Sequence, residues 1–218
     1  MVSNIVSDIS PKSISMLYTP PLESRDLPFY ILAWGHFYVG EKYYVEREGM
    51  EDFLLIYTSS GEGILTYAGK TLEVKEGQAF VLNMAEYHCY RTVPLNQWEI
   101  LWFRFNGTAA GKYVQLINGD AYNLITPVDT KDILEIFNQI PEMIGKSMIH
   151  YVQISMMTTN ILTRLLLEKQ FVGEERFPSN QRMSVQVMEY MDKHYNRPIH
   201  VNEISKVFHI NVYHISCC

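Results

Sequence analysis

Cysteine is scarce in this chain and poorly placed for cross-linking: there are three, Cys89 and the adjacent Cys217 and Cys218. An odd number without framework spacing argues against a secreted disulfide scaffold and fits a reducing, cytoplasmic setting. Long apolar runs are absent as well. Nothing approaches the roughly 18 residues of a membrane-spanning helix, and residues 1–11 have neither a basic n-region nor an apolar h-region, so neither membrane spanning nor export is expected. Basic residues are the minority, 18 Lys and Arg against 24 Asp and Glu for a net charge of −6. That balance argues against a general polyanion binder and leaves room only for a local basic face. The patterns of common enzymes are missing too. There is no phosphate-cradling glycine loop, no Ser/His/Asp order and no Cys/His pair at a convincing spacing, so no catalytic residue is nominated.

What the 218 residues do hold is apolar and aromatic material: 47% hydrophobic, 13% aromatic and 15 Tyr. Such a chain forms a core, and abundant flat, amphipathic side chains suit a pocket built from strands. Residues 1–27 are polar and proline-bearing, with Tyr18-Thr19-Pro20-Pro21 near their end; they read as an extended N-terminal arm. Short β-like runs follow from residue 28 to 106: Phe29–Trp34, Glu41–Arg47, Asp52–Thr58, Gly63–Tyr67, Thr71–Val74, Gln78–Asn83, His88–Thr92 and Gln97–Phe105. Gly40, Ser59-Ser60-Gly61, Ala68-Gly69-Lys70, Glu76-Gly77 and Pro94 separate them. Short strands with no helical pattern between them predict an antiparallel sandwich or barrel.

The period then changes from 2 to 3.6. Asp129 or Thr130 is placed to cap a helix that buries Ile133, Leu134, Phe137 and Ile140 and halts near Pro141. A longer helix, about residues 147–171, carries Val152, Met156, Thr159 and Thr163 on one face and Ile154, Ile161, Leu162, Leu165 and Leu166 on another. Two apolar faces are satisfied by the barrel on one side and a second copy on the other, or by a wholly intramolecular core. Residues 172–181 read as a linker. The tail, residues 182–218, carries four basic residues (Arg182, Lys193, Arg197, Lys206) against three acidic ones (Glu189, Asp192, Glu203) and is the part that is not electronegative.

In that tail Val187, Met188, Met191 and Tyr195 form one apolar stripe, ended by Asn196-Arg197-Pro198. A short helix from Val201 to about Phe208 follows, with Ile204 and Val207 facing inward. After the turn His209-Ile210-Asn211, Asn211 is suited to cap a third helix. This is the layout of a helix-turn-helix, and equally of any helical hairpin. In a helix-turn-helix the start of the second helix enters the major groove, which here means Val212, Tyr213 and His214 beside the capping Asn211.

Tyr190-Met191, His194-Tyr195, Ile199-His200-Val201-Asn202-Glu203-Ile204-Ser205-Lys206-Val207-Phe208, Asn211 and Tyr213-His214-Ile215-Ser216 together resemble the first helix-turn-helix of AraC-type transcription regulators. Arg47 and the strand pattern running to Trp102 resemble that family's N-terminal cupin-like domain. Two departures stand in the tail: His200 replaces the usual Ser or Thr cap, and Ser205 stands where a small Ala packs. The resemblance implies a homodimer that binds a small-molecule effector, with promoter DNA as partner of a full-length form. The family has two helix-turn-helix units, and this sequence stops within the first. A recognition helix of under two turns is marginal in water, so the chain by itself is not expected to bind operator DNA usefully.

Cupin-like barrels divide into metal-dependent enzymes and non-metal readers. A divalent ion needs several His and a carboxylate converging from neighbouring strands. Upstream of residue 140 the histidines are His36 and His88 alone, and residues 61–77 contain none; no metal, no cofactor and no enzyme are expected. A sugar pocket instead needs planar multidentate groups for hydroxyls and an aromatic plate for the ring face. Arg47 shares a strand face with Tyr43 and Val45, Tyr90 shares one with His88, and Trp98, Ile100 and Trp102 share another. An arginine among apolar neighbours is costly unless it binds something; its alternative is an ion pair with Glu46 or Glu99. The resemblance implies sugar contacts at Arg47, Tyr90 and Trp102, with Ile100 at the position of a pocket histidine, a difference that speaks against arabinose itself. His88 completes the set of candidate ligand residues. The resemblance also implies that the arm closes over bound sugar.

The expected fold is therefore α+β: a cupin-like antiparallel β-barrel (a double-stranded β-helix), dimerisation helices and a partial all-α helix-turn-helix. The barrel and its helices, residues 28–171, form the effector-binding and dimerisation domain. The expected function is a cytoplasmic, ligand-responsive transcription regulator whose effector is a carbohydrate. The alternatives are a stand-alone sugar-binding or dimerisation module and, further off, a metal-dependent cupin enzyme.

Overall fold

Alternating apolar and polar residues between tight turns give strands wherever one face can be buried. The structure, a computed structural model, describes residues 2–93, 96–120, 122–127 and 130–174, and in the tail 187, 190–191, 193–195, 197 and 199–208. Its strands are β1 (Val2–Val6), β2 (Ile14–Leu17), β3 (Tyr30–Val39), β4 (Tyr44–Glu48), β5 (Phe53–Tyr67), β6 (Lys70–Lys75), β7 (Ala79–Asn83), β8 (His88–Thr92) and β9 (Trp98–Asn106). All pairs are antiparallel, in the order β1-β4-β8-β5-β9-β3-β2, with β6 and β7 also on β5.

Strand β5 is the spine of the barrel. Its first part, Phe53–Tyr57, lies between β7 and β9, and its last part, Gly63–Tyr67, lies between β6 and β8. The single strand thus belongs to two sheets, which curl into a cupin-like double-stranded β-helix. Ser59-Ser60-Gly61 does not end a strand as the sequence suggests. The register against β9 shifts between Thr58 and Ser60, Gly61 takes φ +76°, and the strand continues. A bulge absorbs the turn-forming residues and adds the twist needed to pass between sheets. Ala68 and Gly69, both at positive φ, make the tight β5–β6 hairpin turn.

Two stretches of the predicted arm, Val2–Val6 and Ile14–Leu17, are strands of the barrel. β1 pairs with β4 on one sheet and β2 with β3 on the other. Asp8 fixes the span between them: its carbonyl accepts from Gly40 N at 2.8 Å and its carboxylate from Lys42 N at 3.0 Å.

Period-2 alternation gives the sheets two buried faces and so two cores. Leu54, Ile56, Leu65, Phe80, Leu82, Tyr90, Trp98 and Ile100 fill the barrel. Leu55, Tyr57, Leu101, Phe103 and Phe105 point to the outer face, where Phe137, Ile154, Ile161 and Leu165 from the helices cover them. Those helices are α1 (Ala110–Asn118), α2 (Lys131–Met143) and α3 (Met148–Glu174). Helix α1 was not expected from the sequence; its signal is the buried Ala110, Val114 and Ile117 at helical spacing, closed by Gly119 at φ +55°. Two details of α2 also differ from expectation. Thr130 is the flanking residue but makes no side-chain cap, and Pro141 lies within the helix, which runs on to Met143.

Helix α3 buries Ile154, Ile161, Leu162 and Leu165. Its opposite face leaves Ile149 62% and Met156 63% exposed, with Val152 between them.

In the tail, α4 (Val201–Phe208) lies where the sequence places a helix. Ile204 is buried, whereas Val207, expected inward, is 46% exposed: the inward stripe is narrower than the i, i+3 spacing suggests. Tyr190 Oη donates to Glu203 Oε1 at 2.6 Å and stacks edge-on against Phe208, while Arg197 pairs with both Glu203 oxygens. The Arg197 hydrogen bond, with that of Tyr190, holds the Glu203 carboxyl down to about 2. Asn211, Val212, Tyr213 and His214 lie outside the described residues.

Candidate functional site

A cavity of about 250 Å³ opens between the two sheets of the barrel. Tyr43, Val45 and Arg47 reach it from β4 and the turn before it, Tyr90 from β8, and Ile100, Trp102 and Arg104 from β9. The period of 2 aims them: each group of alternate residues leaves its strand on the inner face. Residues of the arm, among them Ile5, Ser7, Ser15 and Leu17, line its mouth. Four of the five sequence candidates, Arg47, Tyr90, Ile100 and Trp102, are thus brought together. The fifth, His88, is fully buried and does not line the cavity; its ring stacks behind Tyr90 at 6.3 Å with 9° between planes.

The geometry at Trp102 depends on Gly35, its direct partner across β3 and β9. A Cβ at Gly35 would stand 2.5 Å from the indole, so the missing side chain is what lets the ring lie over the strand. Phe37 meets the ring edge-on at 5.1 Å. The indole Nε1 is buried and has no acceptor among the described residues, a condition that buried donors rarely keep without a ligand or water.

The Arg47 side chain makes no ion pair or hydrogen bond among the described residues. The acids weighed as its partners are engaged elsewhere: Tyr87 Oη donates to Glu46 at 2.8 Å, and Glu99 lies 2.7 Å from His36 Nε2. Arg104, by contrast, is held from behind by Asp52, whose Oδ2 lies 2.6 Å from Nε and 2.5 Å from Nη2. Neither residue was a candidate from the sequence, although the alternation Ile100, Trp102 extended by one step reaches Arg104. Burial pushes the Tyr43 and Tyr90 phenols up, and Arg47 pulls both the other way without overcoming it. Both hydroxyls therefore stay protonated near neutrality, able to donate and to accept.

His88 Nδ1 donates to the Glu86 carbonyl at 2.8 Å, and its buried Nε2 has no partner among the described residues. Burial holds its pKa below the ordinary imidazole value. The folded chain thus binds this proton less readily than the unfolded chain. Stability contributed at pH 7 is lost as pH falls below about 6.5, the unfolded value. The thermal midpoint of the chain is expected to drop between about pH 7 and 5, and His88→Gln to flatten that slope; an equal slope in the variant would assign it to other groups.

Two further clefts, of about 440 Å³ beside α1 and about 520 Å³ beside residues 8–12, contain none of Arg47, Tyr90 or Trp102. Among the described residues no group of three or more His, Cys, Asp or Glu could hold a metal ion. Among them, too, no helix is long and apolar enough to cross a membrane.

The sequence profile described as AraC-like ligand binding domain matches residues 35–147, more than half of the chain. A lactose operon transcription activator of Staphylococcus xylosus is 22% identical over 185 residues, which cover 81% of this chain and 63% of that protein. The chain thus spans less than two thirds of that relative's length. Among solved structures, the cupin domain of Schizosaccharomyces pombe Cnp3 is similar at 14% identity and a TM-score of 0.37, over 50% of this chain and 72% of that one. The cupin domain of an XRE family transcriptional regulator from Enterobacter cloacae is similar at 14% identity and a TM-score of 0.34, over 42% of this chain and 94% of that one.

Proposed function

The chain belongs to the family of AraC-like ligand-binding domains, and on that premise we propose that it is a carbohydrate-responsive transcription regulator, cytoplasmic and homodimeric. The observation that carries the reading is the convergence of Arg47, Tyr90 and Trp102 on one cavity inside the barrel. A guanidinium, a phenol and an indole plate supply directional hydrogen bonds for hydroxyls and a flat surface for a ring face. The similarity to an activator of a lactose operon supports a sugar effector. Ile149, Val152 and Met156, exposed along one side of α3 at spacings of three and four, support association with a second copy through that helix. Promoter DNA is the proposed partner of a full-length form, contacted through Asn211, Val212, Tyr213 and His214, while the chain by itself is not expected to bind it usefully.

The arm supplies the coupling. Ser7, Ser15 and their neighbours line the mouth of the cavity, so a ligand that touches them favours one arrangement of the arm by its differential affinity for the two. The reading is tested by the thermal midpoint of the chain against pentoses, hexoses and small glycosides, neutral and acidic. A ligand at 100 times its Kd stabilises by about 2.7 kcal/mol, a rise of several degrees at this size. One sugar class is expected to raise the midpoint, and Trp102→Ala to abolish the rise. A well-folded chain that responds to no sugar would sink the carbohydrate reading.

A further inference from the structure

The charged groups of the cavity are all of one sign. Arg47 enters from one sheet and Arg104 from the other, and no Asp or Glu lines the space. Asp52, set behind Arg104, answers one of the two guanidinium groups, while Arg47 is unanswered among the described residues. The buried Nε1 of Trp102 adds a donor without an acceptor among the described residues. The hydroxyls of Tyr43, Tyr90, Ser7 and Ser15 donate or accept as required.

A neutral sugar presents hydroxyls that both donate and accept, and a site matched to it combines donors with carboxylate or amide acceptors. This lining has neither. A half-buried guanidinium without a counter-charge is costly, and the group that relieves it is an acceptor with negative charge and planar or trigonal geometry, a carboxylate or a phosphate. At about 250 Å³ the cavity falls below the roughly 300–1,000 Å³ of sites for drug-sized ligands, a size suited to one sugar ring.

We propose that the effector is an anionic monosaccharide, its carboxylate or phosphate set against Arg47 and its ring against Trp102. This rests on the carbohydrate reading above and narrows it.

The test is titration calorimetry of the chain with glucose and galactose, their uronates and their 6-phosphates, with acetate and inorganic phosphate as sugar-free controls. The charged form of one sugar is expected to bind at least tenfold more tightly than the neutral form, about 1.4 kcal/mol. That preference should shrink as salt is raised. Uronate against 6-phosphate distinguishes the two anions. Arg47→Gln is expected to lose the preference and Arg47→Lys, which keeps the charge, to retain part of it. The unliganded midpoint of each variant reports that it is folded. A neutral sugar binding as tightly as its charged forms would overturn the proposal and leave the sugar site standing. Sugar-free anions binding as tightly as any sugar, or no sugar binding at all, would overturn both.

Discussion

Trp98→Ala is expected to destabilise the barrel by about 3–5 kcal/mol, the range for removing a fully buried aromatic side chain. At this chain length that lowers the thermal midpoint by roughly 6–20 °C. Trp98 is fully buried in the barrel interior, and its Nε1 donates to Thr58 Oγ1 at 3.1 Å. Its ring lies over Gly63, where a Cβ would come within 2.7 Å. Truncation leaves a cavity the two sheets cannot close and a buried threonine hydroxyl without its donor. Trp98→Phe keeps most of the volume and should cost less. Urea unfolding of both variants checks the order, and a loss under about 1 kcal/mol in Trp98→Ala would show that the interior repacks far more freely than a close-packed core does.

Gly35→Ala is expected to leave the barrel folded and to cost the effector site at least tenfold in affinity. The new methyl would stand 2.5–2.6 Å from three atoms of the Trp102 indole, and the open side of that ring is the cavity. The ring must swing into the space a ligand would use. Because the cavity has room to receive it, the cost falls on binding more than on stability. Parallel measurements of effector affinity and thermal midpoint separate the two; unchanged affinity would mean that Trp102 keeps its place or plays no part in binding.

The strands were legible because glycine and proline punctuation coincides with real turns at Gly40, Ala68-Gly69 and Gly77. Pairing was not legible, since it joins residues far apart: Arg47 pairs with His88 and Ser3 with Arg47, and no local pattern encodes such partners. β5 was divided at Ser59-Ser60-Gly61 because a bulge and a turn draw on the same residue types. Alternation gave the shared strand faces and the family resemblance the ligand positions, and Arg47, Tyr90, Ile100 and Trp102 do line one cavity. His88 lies outside that cavity, fully buried with its ring stacked on Tyr90. Alternation gave no sign that Ser7 and Ser15 line the cavity; for the arm, only the resemblance pointed to the sugar.

Amide hydrogen exchange along the chain, with and without the sugar that most raises the thermal midpoint, tests most directly whether the barrel interior is the effector site. Slowed exchange is expected in β1, β2, β4, β8 and β9, the strands around the cavity and its mouth. Protection confined to the cleft beside α1, at Lys70, Asn118 and Tyr122, with none in β4 or β9, would contradict the assignment and move the effector out of the barrel.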